Sequence, residues 1–237
     1  MRLDRMLVTL GAGSRSEVQR LIRSGAVTVE GSPVRDPSAH VEEKAAVTLN
    51  GQRLDTRLSR TVMLYKPAGI LTAARDPRQP TVMDLLPDAF RTLGCMPVGR
   101  LDKDTTGLLL LTTDGTLAHR LLSPARHVDK RYRATVDGPL GEAEIGAFAA
   151  GLTLSDFTAQ PALLTVESSS AEKSVALVTV HEGKFHQVRR MFAAVGREVT
   201  ELHRERFGPL TLDPDLQPGG WRDLTEDEMQ ALRAAVE

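Results

Sequence analysis

Leu3, Met6, Leu7 and Leu10 recur at helical spacing before Gly11 and Gly13 interrupt the pattern. Ser14-Arg15-Ser16-Glu17 then has the Ser-x-x-Glu form of a capping box, opening a second helix with Val18, Leu21 and Ile22 as its apolar stripe and Gly25 as its stop. The pattern next changes to alternation. Val27-Thr28-Val29 reads as a strand, and Val47 to Leu54 as a hairpin turning on Asn50-Gly51. Residues 57–60 are polar and read as a linker between a small unit, 1–56, and a body, 61–237.

In the body, strands are predicted at Val62 to Tyr65, Met96 to Leu101, Leu108 to Thr112, Arg131 to Val136, Leu163 to Glu167, Val175 to His181 and Val199 to Phe207. Helices are predicted at Val82 to Leu86, Leu117 to Leu122, Glu142 to Ala150, His186 to Val195 and Glu226 to Ala235, the last behind a Thr225-x-x-Glu228 box. Many strands with few, separated helices indicate an α+β body on a mostly antiparallel sheet.

Composition narrows the class. The 237 residues are 41% hydrophobic and 26% charged, with no long apolar run and no signal-like segment from Met1 to Leu21, so a cytoplasmic globular protein is expected. The single Cys95 excludes a disulfide framework or a multi-cysteine metal site. The six histidines show no metal-ligand spacing, no Walker sequence is present, and Gly11-Ala12-Gly13 follows no strand, so it is no dinucleotide loop.

The net charge of −1 conceals a segregation. Arg2, Arg5, Arg15, Arg20 and Arg23 outnumber Asp4 and Glu17 in the first 23 residues, and Arg120, Arg126, Lys130, Arg131 and Arg133 face only Asp129 between His119 and Arg133. An acidic tail from Thr211 to Glu237 cancels both. Each basic run is either an ordinary solvated face or a nucleic-acid footprint.

Gly99-Arg100-Leu101-Asp102-Lys103-Asp104-Thr105-Thr106-Gly107, followed by Leu108 to Leu111, is the chief candidate for chemistry. A carboxylate on a short polar loop, anchored by an apolar strand, is what a nucleophile or general base needs. Two plainer readings compete. Asp102, Asp104, Thr106 and Gly107 mimic the first half of a calcium loop, although Thr113 stands where a bidentate Glu belongs. An Asx-type turn needs only Asp and Thr bonded to their own backbone. Tyr132 taken alone is a half-buried strand aromatic, and Arg189 and Arg190 are surface arginines off the Val188, Met191, Phe192, Val195 stripe.

Taken together and in this order, the motifs resemble those of pseudouridine synthases of the RsuA type over nearly the whole chain, up to Gly220-Trp221-Arg222-Asp223-Leu224-Thr225. Residues 1–56 resemble an S4 RNA-binding domain. The resemblance implies that Asp102 is the nucleophile, that Tyr132, in Lys130-Arg131-Tyr132, stacks on the flipped uracil, and that Arg189 keeps the Asp102 carboxylate ionised. Some small-subunit enzymes carry Lys in place of Arg189.

Arg100 is expected to enter the RNA. Lys66, in a Lys66-Pro67-Ala68-Gly69 turn that borders the site and is mainly structural, Lys130, Arg190, Arg15 and Arg20 are assigned to substrate binding. Phe185-His186-Gln187-Val188 and Glu201 to Arg206 are similar to the branch acting on small-subunit 16S rRNA, either free or in an assembly intermediate. The family chemistry uses neither metal nor cofactor, and a monomer is expected. A non-catalytic S4-type RNA-binding or assembly protein is the reading from another class, and a large-subunit enzyme of the same family is the nearer one.

Overall fold

A computed structural model describes residues 1–237. The N-terminal unit opens with α1 (Leu3–Thr9) and α2 (Arg15–Ser24). The capping box is formed as the sequence indicates: the Ser14 amide donates to Glu17 at 2.8 Å, and Gly25 closes α2 in the left-handed conformation. Four short strands follow, β1 (Val27–Val29), β2 (Ser32–Pro33), β3 (Val47–Leu49) and β4 (Gln52–Arg53), in the order β2-β1-β3-β4. Asn50 and Gly51 both have positive φ, as a tight β3–β4 turn requires. Leu3, Met6, Leu7, Val18, Ile22, Val27, Val41 and Val47 form a core of this unit's own.

The body is built on β5 (Thr61–Lys66), β6 (Met96–Pro97), β7 (Thr106–Thr112), β8 (Lys130–Asp137), β9 (Leu152–Thr153), β10 (Thr158–Ala159), β11 (Leu163–Ser169), β12 (Lys173–Val180), β13 (Val199–Phe207), β14 (Leu210–Thr211) and β15 (Trp221–Asp223). Its helices are α3 (Ala89–Thr92), α4 (Gly115–Leu122), α5 (Glu142–Ala150), α6 (Gln187–Ala194) and α7 (Glu226–Ala234). The main sheet runs β11-β12-β8-β13-β7-β5-β15, with β14 paired to β13 and β6 to β7, while β9 and β10 pair by themselves. All these pairings are antiparallel except β13 with β7.

Burial explains the strand patterns. Leu109 and Leu111 of β7 enter one large core with Val62, Leu64, Tyr132 and Phe192, whereas Leu108 and Leu110 enter a second with Met63, Phe207 and Leu232. A strand covered on both faces has no polar side to display, hence the unbroken leucine run. Towards the far edge, β12, next to the edge strand β11, alternates buried with part-exposed residues, because only one face is covered.

The structure departs from the sequence reading in places. The expected helix at Val82 to Leu86 is a 3-10 turn, Val82–Leu85, tied by Thr81 and Asp84. The expected strand Met96 to Leu101 stops at Pro97, because the chain leaves the sheet to form the loop bearing Asp102. Strands β2, β9, β10, β14 and β15 and helix α3 are too short to leave a periodic signal.

The parallel seam between β7 and β13 consists of two register pairs, His203 with Thr106 and Arg204 with Gly107. Gly107 has φ +108°, and a Cβ there would lie 2.3 Å from the Arg204 carbonyl oxygen. Only glycine lets the two backbones approach this closely. Arg204 in turn pairs with Tyr132 across β8, so Gly107, Arg204 and Tyr132 form a row across three strands.

Candidate active site

The loop from Val98 to Thr105 enters β7 at this seam and is held along its length. Its Val98 amide donates to Leu110 O at 2.7 Å, and the Thr72 hydroxyl donates to Leu101 O at 2.8 Å. The Gly69 amide donates to Lys103 O at 2.9 Å. Buried Lys66 completes the frame: its Nζ donates to Lys103 O at 3.0 Å, Thr105 O at 2.9 Å and Pro67 O at 2.9 Å. Burial pushes the Lys66 ammonium down to about 8, opposed by the nearby carboxylates of Asp104 and Asp102.

Asp102 is thereby set, half-exposed, on the wall of a small recess of about 60 Å³ that opens to solvent. Arg100, Tyr132, Val180, Glu182, His186 and Leu202 are among its other walls. Tyr132 is 9% exposed and belongs to the large core, so its ring is fixed from behind. Arg100 is exposed at the rim and makes no ion pair. Asp104, two residues beyond Asp102, is solvent-exposed and lies outside the recess wall.

Arg189 is not beside Asp102. Its guanidinium donates to Val199 O at 2.8 Å, and it lines a neighbouring groove with Asp137, His186, Arg190 and Arg197. The basic side chain that does approach Asp102 is His186, whose Nε2 lies 3.6 Å from Oδ1. The reason is local. His186 caps α6 in the left-handed conformation, φ +48°, which puts it on the recess wall and leaves Arg189, three residues on, facing the start of β13. Such a conformation is uncommon for a residue other than glycine and persists only where its surroundings impose it.

Lys66 and Lys130, both expected at the RNA, are corrected in the same way. Each ammonium is buried and already bonded to backbone carbonyls. Lys130 Nζ donates to Val128 O at 2.7 Å and to His181 O at 3.3 Å, and burial pushes it down to about 8. These lysines shape the site and do not face a phosphate. Arg190 pairs with Asp156 and donates to Ser155 Oγ at 3.0 Å, at the edge of the groove. Arg15 and Arg20 are exposed on α2 in the N-terminal unit, away from the recess wall.

Two residues escaped the sequence reading. Arg204 is 1% exposed, donates through Nε to Leu108 O at 2.8 Å and lies over the rings of Phe207 and Tyr132, at 5.2 and 6.0 Å from their centroids. It supports Tyr132 from the seam. Thr72 supports Leu101. For Arg204 a signal was available, since it shares the inward face of β13 with Leu202; for Thr72 there was none. No three His, Cys, Asp or Glu side chains come together in a way that could hold a metal ion.

A carboxylate on a pinned loop and an aromatic ring fixed from behind thus share the wall of one recess. The comparisons with known proteins agree. An RNA pseudouridylate synthase family model matches residues 60–194, and an S4 domain model matches residues 1–47. An uncharacterized RNA pseudouridine synthase of Bacillus subtilis is 42% identical over 98% of both chains. Ribosomal small subunit pseudouridine synthase A of Pseudomonas aeruginosa is 42% identical over 97% of this chain and 99% of the relative, and its Escherichia coli counterpart 41% over 98% and 100%. A solved pseudouridylate synthase structure superposes with a TM-score of 0.68 at 33% identity, covering 98% of this chain and 99% of the other.

The chain belongs to the RNA pseudouridine synthase family, with an S4 domain at its N-terminus. It is an enzyme of that family. No helix is long and apolar enough to cross a membrane.

Proposed function

We propose that this chain converts one uridine of 16S ribosomal RNA to pseudouridine in the cytoplasm, acting as a monomer, with Asp102 as nucleophile. The observation that carries the assignment of Asp102 is its position on the same recess wall as the Tyr132 ring, while Asp104 stands outside. The choice of 16S rRNA is supported by full-length relatives named as small-subunit enzymes at 38 to 42% identity.

In this reading the S4 unit, 1–56, carries exposed Arg15 and Arg20 to RNA phosphates. The target uridine leaves its stack and enters the recess against Tyr132, and the exposed Arg100 side chain occupies the space it vacates. Asp102 attacks the nucleoside, the N1–C1′ bond breaks, the uracil turns and a C5–C1′ bond forms. The hydrogen lost from C5 is matched by the one N1 gains, so the product is an isomer. The fixed loop and ring hold both reacting partners in place, the usual source of much of the rate in such a step. Arg189 acts from behind, through the β13 backbone and the groove it shares with His186.

The test is Asp102→Asn in the full chain, assayed on a 16S rRNA transcript, with base-resolution pseudouridine mapping in cells lacking the gene. Turnover is expected to vanish while folding and RNA affinity stay nearly unchanged, and Asp104→Asn is expected to remain active. An active Asp102→Asn enzyme would remove the assignment. A pseudouridine missing only from large-subunit RNA would move the substrate while keeping the reaction.

A further inference from the structure

We propose that Phe185, stacked on His186 at the mouth of the recess, is a platform for an unpaired RNA base flanking the uridine that enters it; this rests on the reading that the recess takes a uridine from RNA. Phe185 is 75% exposed, the most exposed of the large apolar side chains and the only aromatic among them. It belongs to none of the hydrophobic cores. One face of its ring is occupied: the His186 ring lies 3.8 Å away at 17°. The other is open to solvent.

The ring is held, not loose. His186 keeps its left-handed backbone because Gln187 N donates to Lys184 O at 3.2 Å, Lys184 N to Gln187 Oε1 at 3.1 Å and Arg190 N to His186 O at 2.9 Å. Arg190 also reaches the Phe185 carbonyl at 3.4 Å. The platform is continuous with the site, because its lower ring, His186, lines the recess and lies 3.6 Å from Asp102.

The surroundings select the occupant. Glu182, Gly183 and Lys184, just before Phe185, are polar or small, so no contiguous apolar patch exists for a protein partner. Lys184, which lies over the Phe157 ring beside the recess, and exposed Arg100 across the mouth supply cations instead, while Arg190 is held by Asp156. An exposed aromatic ring among basic side chains is the arrangement on which single nucleobases stack. Extracting one base from RNA leaves its neighbours without a stacking partner, and Phe185 offers one at the point where that neighbour emerges.

The experiment uses the full chain with Phe185→Ala, Phe185→Leu, Phe185→Tyr and Phe185→Trp. On a 16S rRNA transcript, kcat/KM is expected to fall about tenfold for Ala and Leu alike and to be retained by Tyr, as stacking and not bulk predicts. Fluorescence of Phe185→Trp, read above the Trp221 background of the wild type, is expected to be quenched when a single-stranded oligoribonucleotide binds. Equal turnover by Phe185→Ala, full rescue by Leu, or RNA binding without quenching would each overturn the platform. A wild-type chain that forms no pseudouridine in the transcript would instead remove the substrate reading, and the quenching would still decide the stacking.

Discussion

Arg15 and Arg20 stand in solvent on α2, whereas Lys66 and Arg204 are buried on either side of the Asp102 loop. Exposed cations lose little hydration, can follow a phosphate backbone of varied shape, and are weakened by salt. Buried cations cost several kcal/mol in lost hydration, so they persist only where backbone carbonyls or aromatic rings offset that loss, and those contacts hold them in one place. On the proposed function, the N-terminal unit holds RNA tolerantly and the recess holds one base at fixed geometry. Asp102 shares the second regime through its loop, whose Lys103 and Thr105 carbonyls end on the Lys66 ammonium.

The strongest way to break this comparison is Gly107→Ala. A Cβ 2.3 Å from Arg204 O must separate β7 from β13, and the row from Gly107 to Tyr132 separates with them. A loss of about 3 kcal/mol or more is expected in denaturant unfolding, with activity lost alongside. A variant of native stability and activity would show the seam to be looser than its geometry.

Lys66→Met is next. It leaves the carbonyls of Pro67, Lys103 and Thr105 short of a donor in a buried place, which is expected to cost about 2 kcal/mol of stability. Single-turnover kinetics should show a fall in kcat with RNA affinity hardly changed. A pure affinity loss would mean that Lys66 meets RNA after all.

The opposite outcome is expected for Arg15→Ala combined with Arg20→Ala. Binding titrated against salt should give a slope of log K on log[salt] shallower by about 1 to 2, one increment per lost phosphate contact, while kcat at saturating RNA is kept. An unchanged slope would sever the S4 unit from RNA anchoring by these residues.

The smallest effect concerns acid. Asp4 is buried in the N-terminal unit, and Arg2 foremost, with Gln19 and the Arg5 amide, holds its carboxyl down at about 2 against the opposing effect of burial. Its folded value lies below the ordinary 3.8, so its contribution is full above about pH 4 and drains away as pH falls towards 2. Melting curves of the full chain between pH 5 and 2 should show this decline, and Asp4→Asn should flatten it.

Much of the fold could be read before the structure was seen because local rules governed it. The Ser14 and Thr225 capping boxes, the Asn50-Gly51 turn and the leucines of β7 each depend on neighbours within a few residues. The site was legible in part. Asp102, Tyr132 and Arg100 were named from motifs, and all three line the recess. Lys66, Lys130 and Arg189 donate to backbone carbonyls that the sequence reading did not foresee, because a sequence shows that a residue is basic but not which way its charge is satisfied. Phe185 was read only as part of the Phe185-His186-Gln187-Val188 motif, because sequence does not show that its ring stands exposed and stacked on His186.

Sequence alone determined the longer helices and strands, their caps and the carboxylate loop, since propensity, capping and hydrophobic period act over short stretches of chain. Tertiary structure decided that β13 lies parallel to β7, and with it that Arg204 bridges from β7, which the Asp102 loop enters, to Tyr132. It also decided that the imidazole of His186, and not the guanidinium of Arg189, lies within 4 Å of the Asp102 carboxylate. Both outcomes depend on contacts between residues tens to a hundred positions apart, where strand pairing and burial override what any single segment prefers, and no local pattern encodes them.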